Sequence, residues 1–516
     1  MSESTDPYDQ IPYPSLPSRR THTSHLAAVG RLLKLDSPSP RTARVLELGC
    51  AAGGNLMPMA GDYPEAKFLG FDLSSRQIEA GRQAVAELGF KNLELRQADL
   101  LALDIDEIGE FDYIICHGVY SWVPRAVQDR ILAIGKACLA PQGIFFVSFN
   151  AYPGWHLRGM VREMLIYHVA ALDKAADKIQ QARALLEFLI ESSSPRTQVY
   201  RQVLREEAEI LKEMGDAYLF HEHLESVNEP LYFHQFAERI GQAGLQYLGD
   251  TDFGSMLASN LGESVNELLK DAPALRAEQY LDFLQCRTFR GALLCQPEAN
   301  LDRQVSPERL VDCSVSLEER LEFSPAPDGS SLIAQSRDQT LTIRHPALSA
   351  ALLILQERFP AWISFEELRR EVRGRVGAAV GAIGDDPRER LASDLLTLYV
   401  KRLVRLWIDP PPSTPSVAQR PKATSLAIWQ ANQRMTITNL RHERIRLSPA
   451  ELLILASLDG SREIDDLQGL LGEAIARGDF EVRDGDRVVP APEPRQVSEL
   501  LQLILSSLAR HGLLAE

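Results

Sequence analysis

The chain has 516 residues, 45% of them hydrophobic and 24% charged, with a net charge of −16. That composition describes a globular protein of several domains, and an acidic surface argues against nucleic acid while welcoming a basic partner. Its six cysteines form no C-x-x-C pair, its polar, Pro-rich start has no signal-like apolar core, and no run approaches the ~18 apolar residues of a membrane span, so a cytoplasmic protein with no membrane span is expected.

The first strand is "RVLELGC" from Arg44, and "KFLGFDLS" (67–74) is the second. A helix follows, opened by Ser74 with Gln77 three residues on and closed at Gly89, as a capping box and a C′ glycine require. "NLELRQADL" (92–100) and "FDYIICHG" (111–118) are strands, 125–139 a helix and "PQGIFFVSFN" (141–150) a strand. Strands alternating with helices predict an α/β, doubly wound parallel sheet, with its core over 44–155.

Two long helices are then expected, over 156–190 and 197–214, making 156–215 a helical insertion. An amphipathic helical pair needs a partner, either the parent domain or another subunit, and a homodimer is expected. The segment 216–300 completes a seven-stranded sheet, with helices at 230–245 and 276–284 and strands at 246–253 and 289–295. His221 and His223, spaced i, i+2, face apart on a helix and read as structural or solvent-facing. No metal site is expected.

Beyond residue 300, "ALLILQERFPAWISFEELRREV" (351–372) is echoed by "ELLILASLDGSREIDDLQGLL" (451–471), and "SDLLTLYVKRL" (393–403) by "SELLQLILSSL" (498–508). Two mainly helical, winged-helix-like modules are expected, at 301–409 and 425–516, joined by a Pro- and Ser-rich linker. Arg369, Arg370 and Arg373 of the first copy are interleaved with Glu366, Glu367 and Glu371, which favours protein docking over DNA.

In an open parallel sheet the ligand lies at the carboxyl ends of the strands. Collected there are Glu47, Gly49, Cys50, Ala51, Gly53 and Asn55, then Asp72 with Leu73, Asp99 with Leu100, and His117 with Gly118. Small residues let a ligand approach the backbone. An acid ending the second strand suits ribose hydroxyls, and one a strand further suits an adenine amino group. G-x-G-x-x-G spacing is absent, and Glu47 would repel a pyrophosphate. An adenosine with a cationic tail fits better: S-adenosyl-L-methionine (SAM).

The strings "ELGCAAGGN", "HGVYSWVP" (117–124), "NAYPGWH" (150–156), "VNEPLYFHQFAERIGQAGLQYLGD" (227–250) and "EQYLDFLQCRTFRGALLC" (278–295) carry a resemblance. Over residues 8–296 the chain resembles class I SAM-dependent methyltransferases with a methyltransferase regulatory domain, in particular the rickettsial protein lysine methyltransferases. The family's acid-G-x-G-x-G motif reads Glu47, Gly49, Ala51, Gly53, with alanine for the middle glycine. The resemblance implies an N-terminal cap within 1–43, a SAM cofactor and a dimer.

For methyl transfer, Tyr120, Trp122, Tyr152 and Trp155 offer aromatic faces to a migrating positive charge. His117 and His156 lie beside them and could relay the acceptor's proton. The acceptor is read as a protein lysine, with a small-molecule acceptor and a non-enzymatic SAM-binding docking protein as alternatives. The two C-terminal modules are expected to select the acceptor and to leave the SAM site to residues before 120.

Overall fold

The structure, a computed structural model, describes residues 11, 14–326, 331–377, 387–481, 483–484, 487–488 and 493–515. The start of the expected cap, residues 1–10 and 12–13, therefore lies outside the described residues. Seven strands form one sheet: β1 (Arg44–Leu48), β2 (Lys67–Asp72), β3 (Leu93–Gln97), β4 (Phe111–Cys116), β5 (Leu139–Asn150), β6 (Gln246–Asp250) and β7 (Phe289–Cys295). Their order is β3-β2-β1-β4-β5-β7-β6. β1 to β5 are parallel, and β7 is antiparallel to both β5 and β6. β1 is buried on both faces through Val45, Leu46 and Leu48, as a sheet covered by helices on both sides demands. The chain reverses its direction of winding between β1 and β4, which opens a crevice at their carboxyl ends.

Local signals hold where they were explicit. The Ser74 side chain accepts from the Gln77 N–H at the start of the helix Ser75–Leu88, and Gly89 closes it at φ 70°. The insertion departs from expectation. It is three helices, Trp155–Val169, Ala175–Ser192 and Gln198–Met214, and the rod expected over 156–190 breaks at residues 170–174. A straight rod would hold Val161 and Leu165 away from Ile179 and Ala182. The hairpin brings all four into one small core with Leu204 and Leu211.

The middle module is less helical than expected. Strands Glu322–Pro325, Leu332–Gln335 and Thr340–Ile343 form an antiparallel sheet, and Ser314–Leu317 pairs between Ile363–Ser364 and Val404–Trp407. Its helices are Pro346–Arg358, Phe365–Val376 and Pro387–Val400. The last module packs Ser425–Asn432, Pro449–Leu455, Ile464–Arg477 and Pro494–Arg510 around its own core. The linker between the modules is tied down: Tyr63 Oη donates to the Asp409 carbonyl at 2.9 Å, and Ala423 N–H donates to the Leu458 carbonyl at 2.8 Å. One continuous core joins β1, the helix Thr23–Leu32 and the middle module, so cap, sheet and module fold against each other.

Candidate active site

After β1 the chain turns through Gly49 (φ 79°), Ala51 (φ 49°) and Gly53 (φ 79°). Gly49 and Cys50 N–H both donate to the Phe71 carbonyl, at 2.8 and 3.0 Å. A Cβ on Gly49 would lie 2.3 Å from Val119 Cγ2, so this glycine is required by space as well as by its dihedral. Ala51 holds a left-handed conformation that costs an L-residue roughly 1–2 kcal/mol. Its N–H is pinned there by Asp72 Oδ2 at 2.7 Å, while Asp72 Oδ1 accepts from Ser74 N–H at 2.9 Å. Asp72 is thus fixed by both flanking turns. The Cys50 side chain turns beneath Gly70 and leaves only its backbone to the crevice.

Glu47 is 3% exposed. Its Oε1 accepts from Asn55 Nδ2 at 2.9 Å, and its Oε2 is buried without a partner. Burial pushes this carboxyl up to about 8, against the pull of the Asn55 hydrogen bond and with a further push from the Asp72 charge. A buried carboxylate oxygen with no donor calls for a cation, so the SAM ammonium fits the chemistry here. Leu73 is 60% and Leu101 49% exposed at the ends of β2 and β3, as apolar walls for a flat ring. Asp99 is exposed beside them and accepts from Leu101 N–H at 2.9 Å. Leu100, the expected contact, instead packs against the core under the sheet. Gly118 (φ 68°) has open space where a side chain would stand.

At the other end, Ser148 Oγ accepts from Gly118 N–H at 2.8 Å and pairs with His117 Nδ1 at 3.1 Å. Burial and then the charge of Arg20 lower the His117 imidazole to about 4, so it stays neutral. Trp122 is half-buried. Tyr152 stacks on His156 with centroids 4.0 Å apart and leans on Tyr232 at 5.2 Å, and Tyr232 Oη pairs with His156 Nε2 at 3.0 Å. Tyr232 comes from the segment after the insertion, just before the helix Phe233–Gln242; it lies within the string 227–250 but is not among the expected site residues.

Two expected catalytic aromatics do not line the crevice. Tyr120 is fully buried, edge-on to Phe236 at 5.6 Å. Trp155 is 1% exposed, between Trp122 (6.1 Å) and the Arg158 guanidinium (4.9 Å). Both anchor the wall from behind, because their surroundings leave no face free. His221 and His223 are buried: His221 Nδ1 pairs with Glu225 at 3.0 Å and His223 Nε2 with Glu207 at 2.8 Å.

Cap and last module both reach the SAM end. Gly54 N–H donates to Ser15 Oγ at 2.8 Å. Asn55 Oδ1 accepts from Ser18 N–H at 3.1 Å and from Thr21 Oγ1 at 2.9 Å. The same oxygen lies 2.9 Å from His442 Nε2, and since an amide oxygen only accepts, His442 is the donor. The expectation that the modules leave the SAM site alone is therefore corrected: a chain of hydrogen bonds runs from Glu47 through Asn55 to His442.

Comparison with known proteins gives this fold its family. Residues 40–174 match a methyltransferase domain, 215–296 a predicted methyltransferase regulatory domain and 419–513 the C-terminal winged helix domain of PKMT. The uncharacterised protein RP789 of Rickettsia prowazekii is 32% identical over 509 residues, covering 96% of this chain and 91% of its own. RP028 of the same organism is 41% identical over 232 residues, covering 45% of this chain and 92% of its own. PKMT2 from Rickettsia typhi, solved in complex with AdoHcy, superposes with a TM-score of 0.86 at 30% identity, covering 98% of this chain and 100% of that one. AdoHcy is what SAM becomes on losing its methyl group, and SAM is the cofactor here. The chain belongs to the PKMT family of SAM-dependent methyltransferases.

Proposed function

We propose that the chain methylates lysine side chains of a protein. The observation that carries this reading is the half-open wall of Trp122, Tyr152, His156 and Tyr232 at the acceptor end, and the resemblance to protein lysine methyltransferases supports it. On this reading Asp72 takes the ribose hydroxyls, Asp99 the adenine amino group, Leu73 and Leu101 the adenine faces and Glu47 Oε2 the ammonium. SAM supplies a methyl group on a positively charged sulfur.

The rest falls to the chain's own residues. Trp122 and Tyr152 offer π faces to a cation. Their half-buried setting disfavours a lysine ammonium and lowers its pKa from about 10.4. His117, at about 4, is too weak a base to hold the released proton; it positions Ser148 and Gly118. The exposed His156, hydrogen-bonded to Tyr232, passes the proton to water.

Incubation of the full chain with methyl-labelled SAM and a host lysate tests the reading. Label should enter protein and be recovered as methyl-lysine on hydrolysis. Label confined to small molecules, or no transfer despite SAM binding, would overturn it.

A further inference from the structure

Beyond the acceptor wall the cap, the end of β6 and the middle module enclose a cavity of about 150 Å³. β6 is parallel to β5, so its carboxyl end opens on the same edge as the active site. The cavity is smaller than the ~300–1,000 Å³ of a drug-sized ligand site, and admits only a small group.

Its lining is cationic in a chain of net charge −16. Four arginines, Arg19, Arg20, Arg402 and Arg405, face two carboxylates, Asp252 and Glu318. Both carboxylates are engaged. Glu318 accepts from Arg405 at 2.7 and 2.9 Å and pairs with Arg19, Asp252 accepts from Arg402, and Arg405 is held as well by Glu443 from outside the lining, which leaves Arg20 as the uncompensated cation among the described residues. Among the described residues Arg20 has no carboxylate partner; its guanidinium lies over the Phe289 ring, 5.9 Å from the centroid. Phe289 in turn meets the ring of His117 edge-on at 6.2 Å. His25 adds no charge: its ring pairs with the Thr251 carbonyl at 3.0 Å, and burial holds it near 4.

Three lining residues each carry a buried polar atom with no partner: Arg405 Nη1, Thr251 Oγ1 and Tyr399 Oη. Arg405 is 8% exposed. Such groups are costly to leave unsatisfied, yet three residues that line one cavity carry them, and all three groups can donate. Since the carboxylates are already engaged, the ligand that fits is an acceptor carrying negative charge.

We propose that this cavity binds a small oxyanion, the carboxylate or phosphate group of a ligand, between the cap, the end of β6 and the middle module. The anion is either free in solution or an acidic group carried by the methyl acceptor. The site stands independently of the lysine reading.

The test uses the full chain in equilibrium dialysis against labelled inorganic phosphate and, separately, labelled succinate, at constant ionic strength. At least one should bind saturably. Arg20→Ala, a change at an exposed residue, and the near-isosteric Tyr399→Phe and Thr251→Val should each weaken it roughly tenfold or more, as loss of a donor to a charged group does. The last two should hold or raise the Tm of the ligand-free chain, since they remove an unsatisfied group. Failure of both anions to bind saturably, or equal binding by all three variants and the parent, would overturn the proposal. Displacement of the bound anion by a lysine peptide bearing Asp or Glu would assign the site to the acceptor. Anion binding indifferent to that peptide would assign it to a free anion, and either result keeps the oxyanion site.

Discussion

Asp72 does two jobs with one carboxylate. Both oxygens already accept backbone N–H groups, from Ala51 and Ser74, and those bonds set the turn over which the ribose would lie. Asp72→Ala should therefore weaken SAM binding by about tenfold or more and also lower stability by roughly 1–3 kcal/mol; calorimetry and thermal unfolding read the two effects separately. Glu47 is a titration prediction. Its carboxyl stands at about 8 in the folded chain against the usual 4.5, chiefly through burial. Between those values the native state holds a proton that the unfolded chain has released. The ligand-free protein should lose stability as pH rises through that window, and Glu47→Gln should flatten the slope. A bound ammonium favours the ionised form, so AdoHcy binding at neutral pH should expel a proton. Calorimetry in buffers of different ionisation heat would register it, and no proton release would remove the ammonium from Glu47.

At the scale of elements, the helical insertion carries the clearest unpartnered surface. Tyr167 is 86% exposed, Val199 77% and Phe188 61%, on three successive helices whose opposite faces share a core. A second copy of the chain would cover them, and sedimentation at micromolar concentration should give a dimer that Tyr167→Glu with Val199→Glu converts to monomer. The three-helix form of that insertion was not legible, because the break at 170–174 carries neither Gly nor Pro and only packing among the helices imposes it. The sheet was legible: apolar strand runs, the Ser74 cap and Gly89 mark its βαβ units locally. The acids at the ends of β1, β2 and β3 were legible for the same reason, since strand ends follow from the pattern. The roles of Tyr232, Ser148 and Arg20 were not, because Tyr232 and Arg20 come from outside the βαβ units, before the helix Phe233–Gln242 and in the cap, and a lone serine in β5 gives no local sign that it meets His117 and Gly118. Exposure was misread at Tyr120 and Trp155 because a motif places a residue near a strand end without saying which way its ring turns.

Across the whole molecule, the junction of cap, middle module and last module lies against the candidate cofactor site. His22 of the cap stacks on Trp407 at 4.0 Å and meets His442 at 5.0 Å, while Trp407 stacks on Trp362 at 4.6 Å. Arg441 donates to Ser316 Oγ at 2.7 Å and to the Leu317 carbonyl at 2.6 Å. Trp429 Nε1 donates to Glu87, on the helix after β2, at 2.7 Å. Through His442 and Asn55 this junction orients Glu47. His442→Ala removes one of the donors to Asn55 Oδ1 and should weaken SAM binding by roughly 3- to 10-fold, since Ser18 and Thr21 still hold the amide. A chain ending at residue 418 loses His442, Arg441 and Trp429 together and uncovers His22. It should bind SAM more weakly than His442→Ala and unfold at lower temperature. The cap and the last module would then act as one device that completes the cofactor site only when the modules are docked. Isothermal calorimetry on the two variants decides this. If the shortened chain bound SAM as tightly as the full one, the relay from Glu47 to His442 would be packing alone, and the last module would be free to serve the acceptor without consequence for the cofactor.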